Sequence, residues 1–347
     1  MPRVLGLDPG TVSIDLCGLE DGRPFVQRSL PTAEALADPA AFVASLEALG
    51  NFDLVAGPSG YGLPLVRAAD ATEADLALAF LAGPGERGGI GGLRALARAL
   101  ARSRLPVVYT PGVIHLPSVP PHRKLNRVDL GTAEKVCAAA LGVADQRRRL
   151  GCPLDEVSFI LLELGGAFTA GLAVDGGRIV DGLGGTSGPI GWEAAGALDG
   201  EVAFLAGTVT KALLFRGGVR TVAEAAAPEV ALDAYLEGLL KAAGVLAISV
   251  PTAREILLSG RLAAEPGLEG ALTELLGELA PVRRLGGFVE GVKAGAQGAA
   301  LVADGLAGGA YRDIVRQMQI DQASGSVLDH LHLIAPADAR RRLGLEG

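Results

Sequence analysis

The chain has 347 residues and a formal net charge of −8; its pI is near 5.2, and it is 49% hydrophobic but only 4% aromatic, with a mean hydropathy of +0.37. That length predicts two domains with sizeable cores, and the acidic balance excludes a general nucleic-acid surface. The hydrophobic excess lies in Ala, Leu, Val and Gly, a composition for close-packed helices and sheets rather than disorder.

In chain order, apolar runs broken by turn residues predict strands at Val4–Leu7, Ile14–Leu19 and Phe25–Ser29. A helix at Ala40–Leu49 and a buried strand at Leu54–Ala56 follow, then the turn Gly57-Pro58-Ser59-Gly60-Tyr61-Gly62. The Gly-rich stretch from Gly83 to Gly92 reads as a loop, Leu93–Ser103 as an Arg-studded amphipathic helix, and Val107–Tyr109 as a short strand. A Pro-rich connection from Pro111 to Pro121 leads to His122-Arg123-Lys124-Leu125-Asn126-Arg127, and Asp129 opens a helix to about Arg149. Val157–Val174 is apolar enough to resemble a membrane span. Glu163 and the Gly165-Gly166 break make it strand, turn and strand instead, so no membrane partner is expected. A Gly-rich loop, Gly182–Gly191, then helices at Val202–Leu214 and Leu232–Ser249, and a strand at Glu255–Leu258 come next. A Gly/Ala-rich helix at Gly291–Gly305 and a tail ending in a charged helix close the chain.

Cys17, Cys137 and Cys152 are an odd number without metal-ligand spacing, which fits a reducing cytoplasm. The start, Met1-Pro2-Arg3, runs straight into a strand and reads as no signal peptide. Four scattered histidines form no zinc motif; His330 and His332 alone are too few for one.

The most informative pattern is an internal repeat. Val4–Thr11, followed by an apolar run and Glu20-Asp21-Gly22-Arg23, returns without a gap as Ile160–Gly166, an apolar run and Asp175-Gly176-Gly177-Arg178. Asp8, Gly10, Glu20, Gly22 and Arg23 share one offset with Glu163, Gly165, Asp175, Gly177 and Arg178. Each copy reads as strand, acidic Gly turn, strand, hairpin turn and strand. Repetition near half the chain length predicts two lobes of one topology, each presenting an acid-and-glycine turn to a shared cleft.

In Asp8-Pro9-Gly10-Thr11 the glycine permits a tight turn, the hydroxyl and amides can face a phosphate, and the carboxylate can hold Mg²⁺. The same four residues are also ordinary turn chemistry. The mirrored Glu163-Leu164-Gly165-Gly166 shifts the balance, because a metal–nucleotide between lobes needs an acid and free amides from each side. Ser259-Gly260-Arg261, at the end of an apolar strand, is a small-residue turn against which adenosine can lie. Asp129 is either the acid that orients an attacking group or the N-cap of the following helix. Arg123, Lys124 and Arg127 are either an anion clamp or a solvated cluster. Thr186 and Ser187 are either part of an acceptor pocket or a plain polar loop.

These motifs, in this order, resemble the superfamily of acetate and sugar kinases, Hsp70 and actin. Asp8–Thr11 matches its first phosphate loop, Glu163–Thr169 its second, Leu258–Arg261 its adenosine turn, and Asp129–Leu150 and Gly291–Gly305 its connecting helices. Length and Asp129–Lys135 look most like an uncharacterised family predicted to be butyrate-kinase-like. The resemblance implies an α/β fold of two duplicated ribonuclease-H-like lobes with a nucleotide cleft between them, divided as residues 1–128 and 129–347. It implies ATP and Mg²⁺ as cofactors, with Asp8 and Glu163 at the metal and Gly10, Thr11, Gly165, Gly166, Ser259, Gly260 and Arg261 at the nucleotide. It also implies phosphoryl transfer to a small-molecule acceptor, a short-chain carboxylate if the butyrate-kinase likeness holds. Acetate and butyrate kinases carry His where this chain has Glu163 and Asn where it has Asp8, and they place an arginine where Gly184–Pro189 has none. Acids at both loops look more like sugar kinases and Hsp70-type ATPases. The alternative is therefore an ATP-hydrolysing protein that acts on a partner; whether the chain forms a homodimer stays open.

Overall fold

A computed structural model describes residues 2–57, 59–83, 89–225 and 227–345. By their contacts the residues group into two units: Met1–Val128, Thr132–Leu154 and Gly286–Gly347 form the first, and Asp129–Gly131 and Asp155–Leu285 the second. The helix that follows Thr132 and the whole stretch from Gly286 group with the first unit. The reason is packing, described below.

In the first unit, β1 (Arg3–Pro9), β2 (Ser13–Glu20) and β3 (Arg23–Pro31) form an antiparallel meander. β4 (Leu54–Gly57) and β6 (Val107–Tyr109) continue the sheet in parallel beside β1, and β5 (Val66–Arg67) closes its edge, giving the order β3-β2-β1-β4-β6-β5. In the second unit, β7 (Phe159–Leu164), β8 (Thr169–Asp175) and β9 (Arg178–Leu183) form the meander, and β10 (Ile256–Ser259) and β11 (Val282–Arg284) lie parallel beside β7, in the order β11-β10-β7-β8-β9. Strand for strand, the second sheet repeats the first apart from its extra edge strand.

The repeat holds at the level of register. Asp8 pairs with Asp15 in the first hairpin and Glu163 with Ala170 in the second. A β-bulge between Gly18 and Leu19 recurs between Ala173 and Val174, at the offset that separates Asp8 from Glu163. A bulge is a built feature that bends a strand and re-aims its end, so two at one offset mark a duplication rather than shared hairpin habits.

The helix Ala294–Leu306 shows why the chain from Gly286 joins the first unit. Eleven of its thirteen residues are buried, in the order Gly-Ala-Gln-Gly-Ala-Ala-Leu-Val-Ala-Asp-Gly from Gly295. A helix buried on nearly every side has to be covered on nearly every side, and this one packs against β1 and the helix Ala133–Leu150. A Cβ on Gly298 would run into the Cys137 carbonyl, so only glycine permits this approach. Separate cores fill the units, one around Leu5, Phe42, Leu96 and Tyr109, the other around Leu162, Tyr235, Leu246 and Leu272.

Several elements differ from expectation. The helix expected from Asp129 begins at Ala133, with Thr132 at its N-cap. The helix expected over Val202–Leu214 runs only from Gly200 to Ala206, because Gly207 adopts a φ of 70° and the β-branched Thr208-Val209-Thr210 follows. Gly89–Gly92, expected in a loop, belong to the helix Gly89–Ala101; the rest of that loop, Pro84–Gly88, and Pro58 of the earlier turn lie outside the described residues. No helix among the described residues is long and apolar enough to cross a membrane.

Candidate functional site

In the first unit, Asp8 lies near the C-terminal end of β1 and is buried. The turn after it closes with a hydrogen bond from the Gly10 amide to the Ser13 carbonyl, 2.9 Å, and the Thr32 hydroxyl donates to the Gly10 carbonyl, 2.7 Å. Thr11 is exposed at its tip. The turn is thus fixed at its base and open at its crest, as a phosphate-binding turn has to be.

The sequence reading missed Lys293, the N-cap residue of the Ala294–Leu306 helix. Its Nζ donates to the Ser13 carbonyl at 2.7 Å and to the Asp8 carbonyl at 3.3 Å, and lies 3.2 Å from Asp15 Oδ2 and 3.7 Å from Asp8 Oδ1. Glu134 and Lys135 act on Asp8 as well. Burial lifts the Asp8 carboxyl above its ordinary value; Lys293 and Lys135 oppose this, while Glu134 and Asp15 reinforce it. Three carboxylates thus lie within electrostatic reach of two ammonium groups. Among the described residues no three His, Cys, Asp or Glu side chains gather into a metal cage. Mg²⁺ that arrives on a nucleotide needs only one or two carboxylates, its other ligands being phosphates and water, and Asp8 fits that demand.

In the second unit, Glu163 is half-buried near the end of β7, in register with Ser259 of β10. The Gly165 amide donates to the Phe168 carbonyl at 3.0 Å and tightens the turn. The segment that follows the Gly182–Gly191 loop packs on this turn through Glu193 and Ala194, whose amides both donate to the Ala167 carbonyl. Gly260 has a φ of 90°, and a Cβ there would meet the Leu164 backbone at 2.6 Å or closer. Strand packing therefore requires that glycine by itself. Arg261 is exposed, and Ser259 Oγ is buried without a hydrogen-bond partner.

Asp129 groups with the second unit, and its carboxylate does not cap the helix that follows. Oδ2 accepts from the Thr186 amide at 2.9 Å and the Thr186 hydroxyl at 2.8 Å, and Oδ1 accepts from the Gly131 amide at 3.2 Å. The Ser187 hydroxyl donates to the Asp129 carbonyl. A Cβ on Gly184 would collide with the Asp129 carboxylate, so the loop wraps this acid closely. Three expected site residues, Asp129, Thr186 and Ser187, thus form one cluster, and the plain-loop reading of the last two is replaced by an anchored loop. The sequence carried a signal for this in the glycines of Gly184-Gly185-Thr186-Ser187-Gly188.

Of the basic trio, Arg123 is half-buried and Arg127 exposed. Lys124 is buried and donates to the Leu116 carbonyl at 2.8 Å, which removes it from an anion clamp and also from a solvated cluster. His115 is buried between the Gly62 and Ser324 carbonyls, at 3.1 and 3.3 Å, where burial lowers its pKa. It ties down the C-terminal stretch and takes no part in the site.

A family model described as "Protein of unknown function (DUF1464)" matches residues 6–333. The chain belongs to this family. No curated protein matches it. Among solved structures, a propionate kinase from Francisella tularensis subsp. tularensis SCHU S4 is similar at a TM-score of 0.58 and 12% identity, over 86% of this chain and 98% of that one. Acetate kinase from Entamoeba histolytica is similar at 0.55 and 12%, over 80% and 87%. Acetate kinase from Porphyromonas gingivalis is similar at 0.53 and 15%, over 79% and 86%. At such identities the likeness establishes the fold alone: this DUF1464 member has the duplicated α/β fold seen in those acetate and propionate kinases.

Proposed function

We propose that the protein is an ATP-dependent phosphotransferase acting on a small metabolite, with a short-chain carboxylate the first acceptor to try. The observation that carries this reading is the duplicated hairpin, which ends its first strand in an acid followed by a tight Gly turn in both copies, Asp8 and Glu163. In this reading Asp8 and Glu163 hold the Mg²⁺ of the nucleotide, the turns around Gly10-Thr11 and Gly165-Gly166 take its phosphates, and Ser259-Gly260-Arg261 takes the adenosine. Bound Mg²⁺ supplies charge neutralisation on the transferring group. Asp129 orients the acceptor together with Thr186 and Ser187, and Arg123 and Arg127 attract its charge.

One observation favours a second reading, an ATPase that drives a partner. Both carboxylate oxygens of Asp129 are already held by the chain's own loop, as suits an acid that fixes loop geometry rather than one open to an acceptor.

The deciding experiment is ADP release by the purified protein at millimolar Mg²⁺, with and without a panel of short-chain acids, sugars and polyols. Acceptor-dependent release supports the kinase reading, and acceptor-independent release the second. No calorimetric ATP binding under these conditions would overturn both. Asp8→Asn should cost at least tenfold in Mg²⁺-ATP affinity while leaving the melting temperature near that of the wild type.

A further inference from the structure

The Asp8 turn carries a cation of its own. Lys293 Nζ has four oxygens around it: the Ser13 and Asp8 carbonyls at 2.7 and 3.3 Å, Asp15 Oδ2 at 3.2 Å and Asp8 Oδ1 at 3.7 Å. Asp15 is 1% exposed, and its other carboxylate oxygen, Oδ1, has no hydrogen-bond partner. Carbonyl and carboxylate oxygens converging on one point are the donor set of a hard cation, and here an ammonium group fills that point. The Lys293 side chain keeps 27% of its surface exposed, and lysine is a compact charge on a flexible four-carbon stem. The group can therefore leave without disturbing the helix that begins at Ala294.

We propose that Lys293 is a tethered counter-ion that holds the cation position of the Asp8 turn against divalent metal. Metal then enters only together with a polyphosphate, which gives the displaced ammonium a new anion to pair with. Empty, the turn stays assembled and its buried acids stay compensated; loaded, the same lysine is freed towards the phosphates. The proposal rests on reading this turn as a nucleotide turn.

The test is Mn²⁺ titration of the nucleotide-free, full-length protein, followed by electron paramagnetic resonance of the free ion. Wild type and Lys293→Arg should bind Mn²⁺ weakly. Lys293→Met should gain a site at least tenfold tighter, which Asp8→Asn in the same chain removes. Lys293→Gln keeps a donor for the Ser13 carbonyl without the charge and should behave as the Met variant does. Should neither neutral variant fold unaided, Mn²⁺ has to restore their fold at concentrations that leave wild type unchanged. Unaltered Mn²⁺ affinity in both neutral variants, no rescue of unfolded ones, or tight Mn²⁺ binding by wild type alone would overturn the proposal. Calorimetry of wild type with Mg²⁺-ATP keeps the two readings apart. If wild type binds Mg²⁺-ATP but the neutral variants gain nothing, the inference falls and the functional reading stands. A gained Mn²⁺ site in a protein that never binds Mg²⁺-ATP has the opposite meaning.

Discussion

Asp129 has the sequence context of a helix cap and a different job. Its acceptor oxygens are committed to the amides of Gly131 and Thr186 and the Thr186 hydroxyl, so replacing it with Asn turns one acceptor into an amide that confronts a donor. A buried donor left unsatisfied costs about 1–3 kcal/mol, and Asp129→Asn should lower unfolding stability by about that amount in urea titration. If the acid also orients the acceptor, turnover should fall by about 10²–10⁴-fold, as for a removed catalytic acid or base. A loss of stability with full turnover in the folded fraction would leave Asp129 as an anchor alone. Residue type was legible here and the main partner was not, because Thr186 lies fifty-seven positions away and sequence shows no such closure. Lys293 was illegible for a related reason: a lone lysine in the first turn of the expected Gly/Ala helix looks solvated until the helix is seen to lie on β1.

At the scale of elements, the meanders were legible because their inner strands are continuous buried apolar runs and Gly turns punctuate them, and the equal offset exposed the duplication. The weak elements were not. β5 has two residues and β11 reads Val-Arg-Arg, so neither carries an apolar pattern, and each exists only because a neighbouring strand offers an edge. The helix Glu73–Phe80 was also missed, although Thr72 and Asp75 form a capping box at its start. Glycines separate the two ways a helix is stabilised. Gly298 is pressed against the Cys137 carbonyl, whereas Gly270, inside the helix Pro266–Leu276, is exposed with nothing within 4 Å of where a Cβ would stand. Gly298→Ala should therefore destabilise by about 3 kcal/mol through overpacking against backbone. Gly270→Ala should stabilise by about 0.5–1 kcal/mol, since it removes unfolded-chain freedom at no steric cost. Paired thermal melts check both; equal effects would show that the close approach at Gly298 is relaxed in solution.

At the scale of the whole molecule, the chain passes back and forth between its units, at 128/129, 131/132, 154/155 and 285/286. The crossing at Gly286 leaves no mark in the sequence, since that residue lies in an unremarkable Leu-Gly-Gly run. If both turns bind nucleotide, as proposed, its binding must be felt at each of them. A ligand at a hundred times its Kd stabilises the state that binds it by about 2.7 kcal/mol. That linkage acts locally wherever amides open without global unfolding. Hydrogen exchange with and without Mg²⁺-ATP should therefore slow in three peptides together: the Asp8–Thr11 turn, the Glu163–Ala167 turn and the segment around Ser259-Gly260. Turn amides at Thr11 and Gly166 should show the largest change, and strand amides at Leu5 and Leu161, already buried, the smallest. Protection confined to one unit would mean that the duplicated turn has kept its shape in the other without its ligand, and the two-turn nucleotide reading would fail even though the fold stands.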